Sequence, residues 1–284
     1  MSAPAAPTTD PVGYRREAVE AWLATQVPSL RQPLRWTRLE GGHSNLTYLL
    51  EDADGQRAVI RRPPMGDLLP KAHDMGREWA LISALGPTPV PVPRALGFCQ
   101  DPTVTGAHFY VMGHIDGHPL YNADDARRWA PMDKRITLSH SFIDVLADLH
   151  AVDPDAVGLS DLGKKDSYIE RQLKTWYRSW NASIEGAQLD DPRAHALQKY
   201  FLEHTPDQGP ARVVHGDYGL HNTLVGADGT IAAVVDWENS TLGDPPADLA
   251  YALKQSDSKA LICSTQYRSN PYLENVTALR PTLP

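Results

Sequence analysis

Asp217, Asn222 and Asp236 are the residues of this chain whose types and spacing could do chemistry together. Asp217 and Asn222 enclose four residues in His215-Gly216-Asp217-Tyr218-Gly219-Leu220-His221-Asn222, and Asp236 opens Asp236-Trp237-Glu238 a short way on. Phosphoryl transfer from a nucleoside triphosphate needs such a set. One carboxylate receives the proton of an attacking hydroxyl, while an amide and a second carboxylate hold the Mg²⁺ that bridges the phosphates. Protein kinases use the same D-x-x-x-x-N spacing before a metal-binding Asp. Taken singly, Asp217 and Asn222 read as turn formers and Asp236 as an acid at a strand end. Taken together at this spacing, they argue for chemistry.

The elements that must position these residues are legible on either side of them. Residues 211–214 form a short apolar run that leads into His215, with the pattern of a buried strand. Two further apolar runs, 223–225 and 231–235, flank Ala227-Asp228-Gly229, which has the composition of a hairpin turn. Such a hairpin carries Asn222 at its entry and Asp236 at its exit. Its ends lie side by side, so two residues distant in sequence can share one cation.

These segments, with Leu242-Gly243-Asp244-Pro245-Pro246-Ala247-Asp248-Leu249-Ala250, resemble the aminoglycoside phosphotransferase superfamily of small-molecule kinases, which is choline-kinase-like. Within it, the chain is most similar to the branch associated with acyl-CoA dehydrogenases, over about residues 39–253. The resemblance implies an α+β, protein-kinase-like bilobal fold, with a small β-rich N-lobe and a larger helical C-lobe. It implies ATP and Mg²⁺ as cofactors, with Mg-ATP between the lobes, and a small-molecule hydroxyl as acceptor. Asp217 is then the catalytic residue, His215 shapes its loop, Asn222 and Asp236 hold the metal, and Asp248 braces the loop's backbone.

The N-terminal part carries the complementary nucleotide-binding pattern. A strand at 34–40 leads into Gly41-Gly42-His43-Ser44-Asn45, followed by a hairpin of 46–51 and 57–62 around Asp54-Gly55. Gly41 and Gly42 permit close backbone approach to phosphate, and Ser44 and Asn45 are candidate donors to its oxygens. Ala58-Val59-Ile60-Arg61 aligns with the kinase V-A-I-K strand, so Arg61 stands where Lys grips the phosphates. The alternative is a surface Arg beside Arg62. Glu78, in the helical pattern that follows, matches the family's ion-pair acid. Val111 and Met112 fall at the family's hinge, where backbone groups meet the adenine edge. The lobes are expected to span 13–113 and 114–284, after a disordered tail at 1–12.

Further helices are expected at 14–25, 136–150, 168–180 and 192–204, with Asp244 and Pro245 starting another. Trp176, Tyr177 and Trp180 read as core or pocket wall, and His150 as a structural residue near the catalytic strands. A length of 284 residues with 42% hydrophobic and 22% charged residues suits two lobes with their own cores. The net charge of −8 argues against a nucleic-acid partner. Cys99 and Cys263 lack metal spacing and suit a reduced, cytoplasmic compartment, and no run is apolar enough to span a bilayer.

Two departures from the family pattern stand out. Gly219 replaces a frequent Arg, and His221 a small or acidic residue. Residues 254–284 show none of the later helices that wall the family's acceptor site, which leads to an expectation of ATP binding with poor acceptor turnover. A nucleotide-binding remnant is therefore a rival reading. A protein kinase is disfavoured, because no A-P-E segment follows Asp236.

Overall fold

The computed structural model describes residues 10–39, 45–66 and 73–255, with backbone alone for 251–255. Gly41, Gly42 and Ser44, the tail proposed at 1–12 except for its last three residues, and the C-terminal stretch from 256 onward lie outside the described residues. Two compact units emerge. One comprises Met1–Ser141 with Leu220–Glu238, and the other Phe142–Gly219 with Asn239–Pro284.

The first unit is built on a five-stranded antiparallel sheet in the order β1-β2-β3-β5-β4. Its strands are β1 (Arg35–Arg38), β2 (Leu46–Glu51), β3 (Arg57–Arg62), β4 (Ala95–Cys99) and β5 (Phe109–Gly113). The period-2 alternation of β2 buries Leu46, Tyr48 and Leu50 on one face. With Ala58, Ile60, Phe109 and Val111 they form a core against Val19 and Leu23 of helix α1 (Arg16–Gln26). On the other face, Arg61 and Tyr110 are cross-strand partners. Helix α2 (Met75–Leu85) is capped by Asp74, which accepts the backbone N–H groups of Gly76 and Arg77, and it buries Glu78, Leu81, Ile82 and Leu85.

Two short helices that the sequence reading did not anticipate, α3 (Pro102–Thr105) and α4 (Ala123–Trp129), belong to the same unit. So does the hairpin of β7 (Thr223–Val225) and β8 (Ile231–Val234). Its turn is closed by Gly226 and Thr230, with Gly229 at φ 86°. Helix α5 (Arg135–Ala151) runs through the boundary between the units. Its apolar stripe is split: Leu138, Leu146 and Leu149 are buried, whereas Ile136 and Ile143 are exposed.

The second unit holds α6 (Tyr168–Ala187), α7 (Pro192–Glu203), α8 (Pro246–Gln255) and a two-stranded ribbon of β6 (Arg212–Val214) with β9 (Thr241–Gly243). Helix α8 starts at Pro246, one residue past the start expected, and the Asp244 carbonyl accepts the Ala247 N–H. Trp176 corrects the expectation of a core or pocket-wall residue, being 72% exposed. Periodicity marks the apolar stripe of an amphipathic helix but not what covers it. Among the described residues, no helix is long and apolar enough to cross a membrane.

Candidate active site

Alternation along β3 sends its two adjacent arginines to opposite faces of the sheet. Arg62 turns into the core beneath the Tyr14 ring and donates to the carbonyls of Gly13, Thr105 and Pro63. Arg61 turns to the other face and meets carboxylates instead. Its Nη2 donates to Asp236 Oδ1 at 2.6 Å, and its Nε lies 3.3 Å from Glu78 Oε2. The alternative of a surface Arg fails, because the Arg61 side chain is only 11% exposed.

Glu78 is fully buried, and Tyr110 Oη donates to its Oε2 at 2.9 Å. Burial pushes the Glu78 carboxyl above its ordinary value, against the opposing pull of the Arg61 guanidinium and the Tyr110 hydroxyl. Burial likewise raises the Tyr110 hydroxyl, with the Glu78 charge adding to the effect. The charge of Arg61 is reinforced by Glu78, Tyr110 and Asp236, which outweigh the cost of its burial.

Asn45 closes the third side of Arg61. A guanidinium has no acceptor, so the Asn45 atom that faces it must be the carbonyl oxygen. In that orientation Oδ1 lies 2.6 Å from Nη2 and 3.1 Å from Nε, and Nδ2 lies 3.2 Å from His73 Nδ1. The opposite orientation places Nδ2 3.5 Å from Glu238 Oε2 but sets its N–H groups against those of Arg61. His73 Nδ1 also lies 3.2 Å from Glu238 Oε2. Where the sequence suggested donation from Asn45 to phosphate, its amide is engaged by Arg61 and His73.

The hairpin brings Asn222 and Asp236 together as its spacing anticipates. Asn222 closes a 3₁₀ turn before β7, and its carbonyl accepts the Val235 N–H at 2.9 Å, one residue before Asp236. Asp236 adopts φ 64°, a left-handed conformation that few side chains other than Asn and Asp tolerate. Mg²⁺ takes hard oxygen ligands, often one or two from protein beside waters and phosphates. The second carboxylate oxygen of Asp236 and the side-chain oxygen of Asn222 are donors of that kind. Among the described residues, no cluster of three or more His, Cys, Asp or Glu is arranged to hold a metal. Val111 and Met112 sit in β5 with β3 on one side and β4 on the other, in a ladder that ends at Gly113.

In the second unit, His215 and Asp217 sit in the loop that follows β6. Asp217 is half-buried, whereas His215 is fully buried, and its Nδ1 accepts the Asp217 N–H at 3.3 Å. That contact suits a loop-shaping residue. Asp248 of α8 accepts the N–H groups of His215 and Gly216 at 2.7 and 2.8 Å, and its Oδ2 lies 3.1 Å from His150 Nε2. Burial opposes the Asp248 charge, but His150, His215 and the Gly216 N–H hold its carboxyl below the ordinary value. The backbone twist at Gly216, φ 81°, aims both amides at this carboxylate. Sequence reasoning placed Asp248 in this role but did not connect His150 to it.

The model of the phosphotransferase enzyme family matches residues 35–266. The chain is similar to acyl-CoA dehydrogenase family member 10 of Mus musculus, with 36% identity over 78% of this chain and 20% of that protein. It is also similar to acyl-CoA dehydrogenase family member 11 of Gallus gallus, with 34% identity over 84% of this chain and 31% of that protein. The chain thus spans less than a third of the length of these relatives. Among solved structures it is similar to a Ralstonia eutropha protein assigned as an aminoglycoside phosphotransferase, with 30% identity, 86% of this chain and 71% of that one covered, and a TM-score of 0.73. A macrolide 2′-phosphotransferase of Brachybacterium faecium shares the fold, with a TM-score of 0.56 at 23% identity over 92% of this chain and 82% of that one. These likenesses show the α+β, protein-kinase-like fold.

Proposed function

This chain belongs to the phosphotransferase enzyme family, and from that premise we propose that it transfers the γ-phosphoryl group of ATP to a hydroxyl of a small metabolite. The observation that carries the reading is the buried cluster in which Arg61 is held by Glu78 and Asp236. It joins the phosphate-gripping position of β3, the acid of α2 and the metal-site acid of the hairpin. Arg61 neutralises phosphate charge as a planar fork rather than as a point charge. Asp236 and Asn222 would hold Mg²⁺, which when bound neutralises charge developing on the phosphates. Asp217 accepts a hydrogen bond from the acceptor hydroxyl, orients it for in-line attack and takes its proton late. His215 and Asp248 keep the Asp217 loop in one conformation.

For the acceptor we favour a hydroxylated acyl-CoA-type metabolite over an aminoglycoside. The similarity to acyl-CoA dehydrogenase family members supports that choice. The likeness to aminoglycoside phosphotransferases favours the second class. The test is ADP release from Mg-ATP with hydroxyacyl-CoAs and with aminoglycosides as separate acceptors. Slow release dependent on a hydroxyacyl-CoA is expected, in keeping with the poor acceptor turnover that residues 254–284 lead one to expect. Release with kanamycin alone would reverse the order, and ATP binding without turnover on a broad hydroxyl panel would favour the nucleotide-binding remnant.

A further inference from the structure

Arg61 distributes its donors unevenly. Nη2 serves Asp236 and Nε faces Glu78, while Nη1 makes no hydrogen bond or ion pair among the described residues. Two carboxylates alone leave the guanidinium plane free to turn about the line that joins them. Asn45 removes that freedom, because one carbonyl oxygen lies within hydrogen-bond distance of both Nη2 and Nε. Asn45 is itself buried, and its amide nitrogen is tied to His73, a residue held at φ 54°. His73 Nδ1 then accepts from Asn45, so it cannot also donate to Glu238.

We propose that Asn45 is a positioning residue for Arg61, locking the plane of the guanidinium so that Nη1 is the end presented to a phosphate oxygen. This rests on Arg61 being the phosphate-facing cation of the proposed function. Asn45 acts through Arg61 and not by its own donation to phosphate. The device also accounts for Arg at a position where the strand pattern would carry Lys. A planar fork offers Asp236, Asn45 and phosphate separate N–H groups in fixed directions, whereas an ammonium offers three donors from one freely rotating point.

The test is a double-mutant cycle on the full chain, with Mg-ATP affinity measured by calorimetry for wild type, Asn45→Ala, Arg61→Lys and the double variant. Loss of a hydrogen bond to a charged group is expected to weaken Mg-ATP roughly tenfold in Asn45→Ala. In the Arg61→Lys background the same change is expected to cost less than about twofold, because the fork that it orients is gone. An equal loss in both backgrounds would overturn the proposal in favour of direct phosphate contact, and no loss in Asn45→Ala would overturn it by removing Asn45 from nucleotide binding altogether. Asn45→Ser serves in the same cycle if the alanine variant folds poorly. If wild type binds no Mg-ATP, the proposed function fails, and the cycle read by thermal unfolding decides the contact: coupled shifts support it and additive shifts overturn it.

Discussion

Replacing Gly216 with Ala tests whether the loop carrying Asp217 is held by backbone geometry. Gly216 has φ 81°, where an L side chain costs about 1–2 kcal/mol. A Cβ there would also sit 2.7 Å from the Asn239 carbonyl oxygen, inside the 3.4 Å of ordinary contact. One of two backbones must shift, and Gly216 N–H is the 2.8 Å donor to the buried Asp248 carboxylate. Weakening a hydrogen bond to a charged group adds about 1.5–3 kcal/mol. Reduced freedom of the unfolded chain returns about 0.4–1 kcal/mol. The net cost is then about 2–4 kcal/mol, a fall in Tm of roughly 5–15 °C for a domain of this size. Gly158 supplies the control: its φ is 78°, but an added Cβ would meet nothing within 4 Å. Gly158→Ala should therefore cost only the conformational part, roughly 2–4 °C. Differential scanning calorimetry of the two variants checks the reasoning. A Gly216→Ala melting point within about 2 °C of that of Gly158→Ala would refute the steric and hydrogen-bond argument.

Asp217→Asn should lower turnover by orders of magnitude while leaving Mg-ATP affinity nearly intact, since it removes a proton acceptor and no proposed metal ligand; wild-type turnover in steady-state kinetics would remove Asp217 from the mechanism. Asp236→Asn keeps a side chain that tolerates the left-handed backbone at φ 64° but removes its charge. It should abolish the Mg²⁺-dependent part of an ATP thermal shift, and an unchanged shift would exclude the metal role. Asp248 has its carboxyl held below the ordinary 3.8 in the folded state. Its contribution to stability is therefore present above about pH 4 and is lost as pH falls through its folded value. Melting curves between pH 3 and 7 should show a shallower acid decline in Asp248→Asn than in wild type, and equal slopes would assign the acid sensitivity elsewhere.

What the sequence determined by itself was local. Residues 46–51 and 57–62 alternate or cluster as strands and form β2 and β3 over those bounds. The hairpin around Gly229 brings Asn222 and Asp236 together because turn chemistry and short strands act over a few residues. The D-x-x-x-x-N spacing was legible for the same reason, whereas the α+β class was implied by the family resemblance that these motifs carry. What only tertiary structure decided depended on pairing between distant segments. The V-A-I-K alignment pointed to Arg61 and the family resemblance to Glu78 as its ion-pair acid, but Asp236 and Asn45 join them from a hairpin and the start of another strand. Asp248 and His150 are 98 residues apart and meet only because α5 and α8 bury their polar ends together. Trp176 shows the limit in the opposite direction. Its helical spacing marked an apolar stripe, yet the packing of α6 leaves the ring exposed. Periodicity reports which side chains share a face, since that follows from backbone repeat alone. Which surface covers that face, and which buried charge finds a partner, is set by contacts that no local pattern encodes.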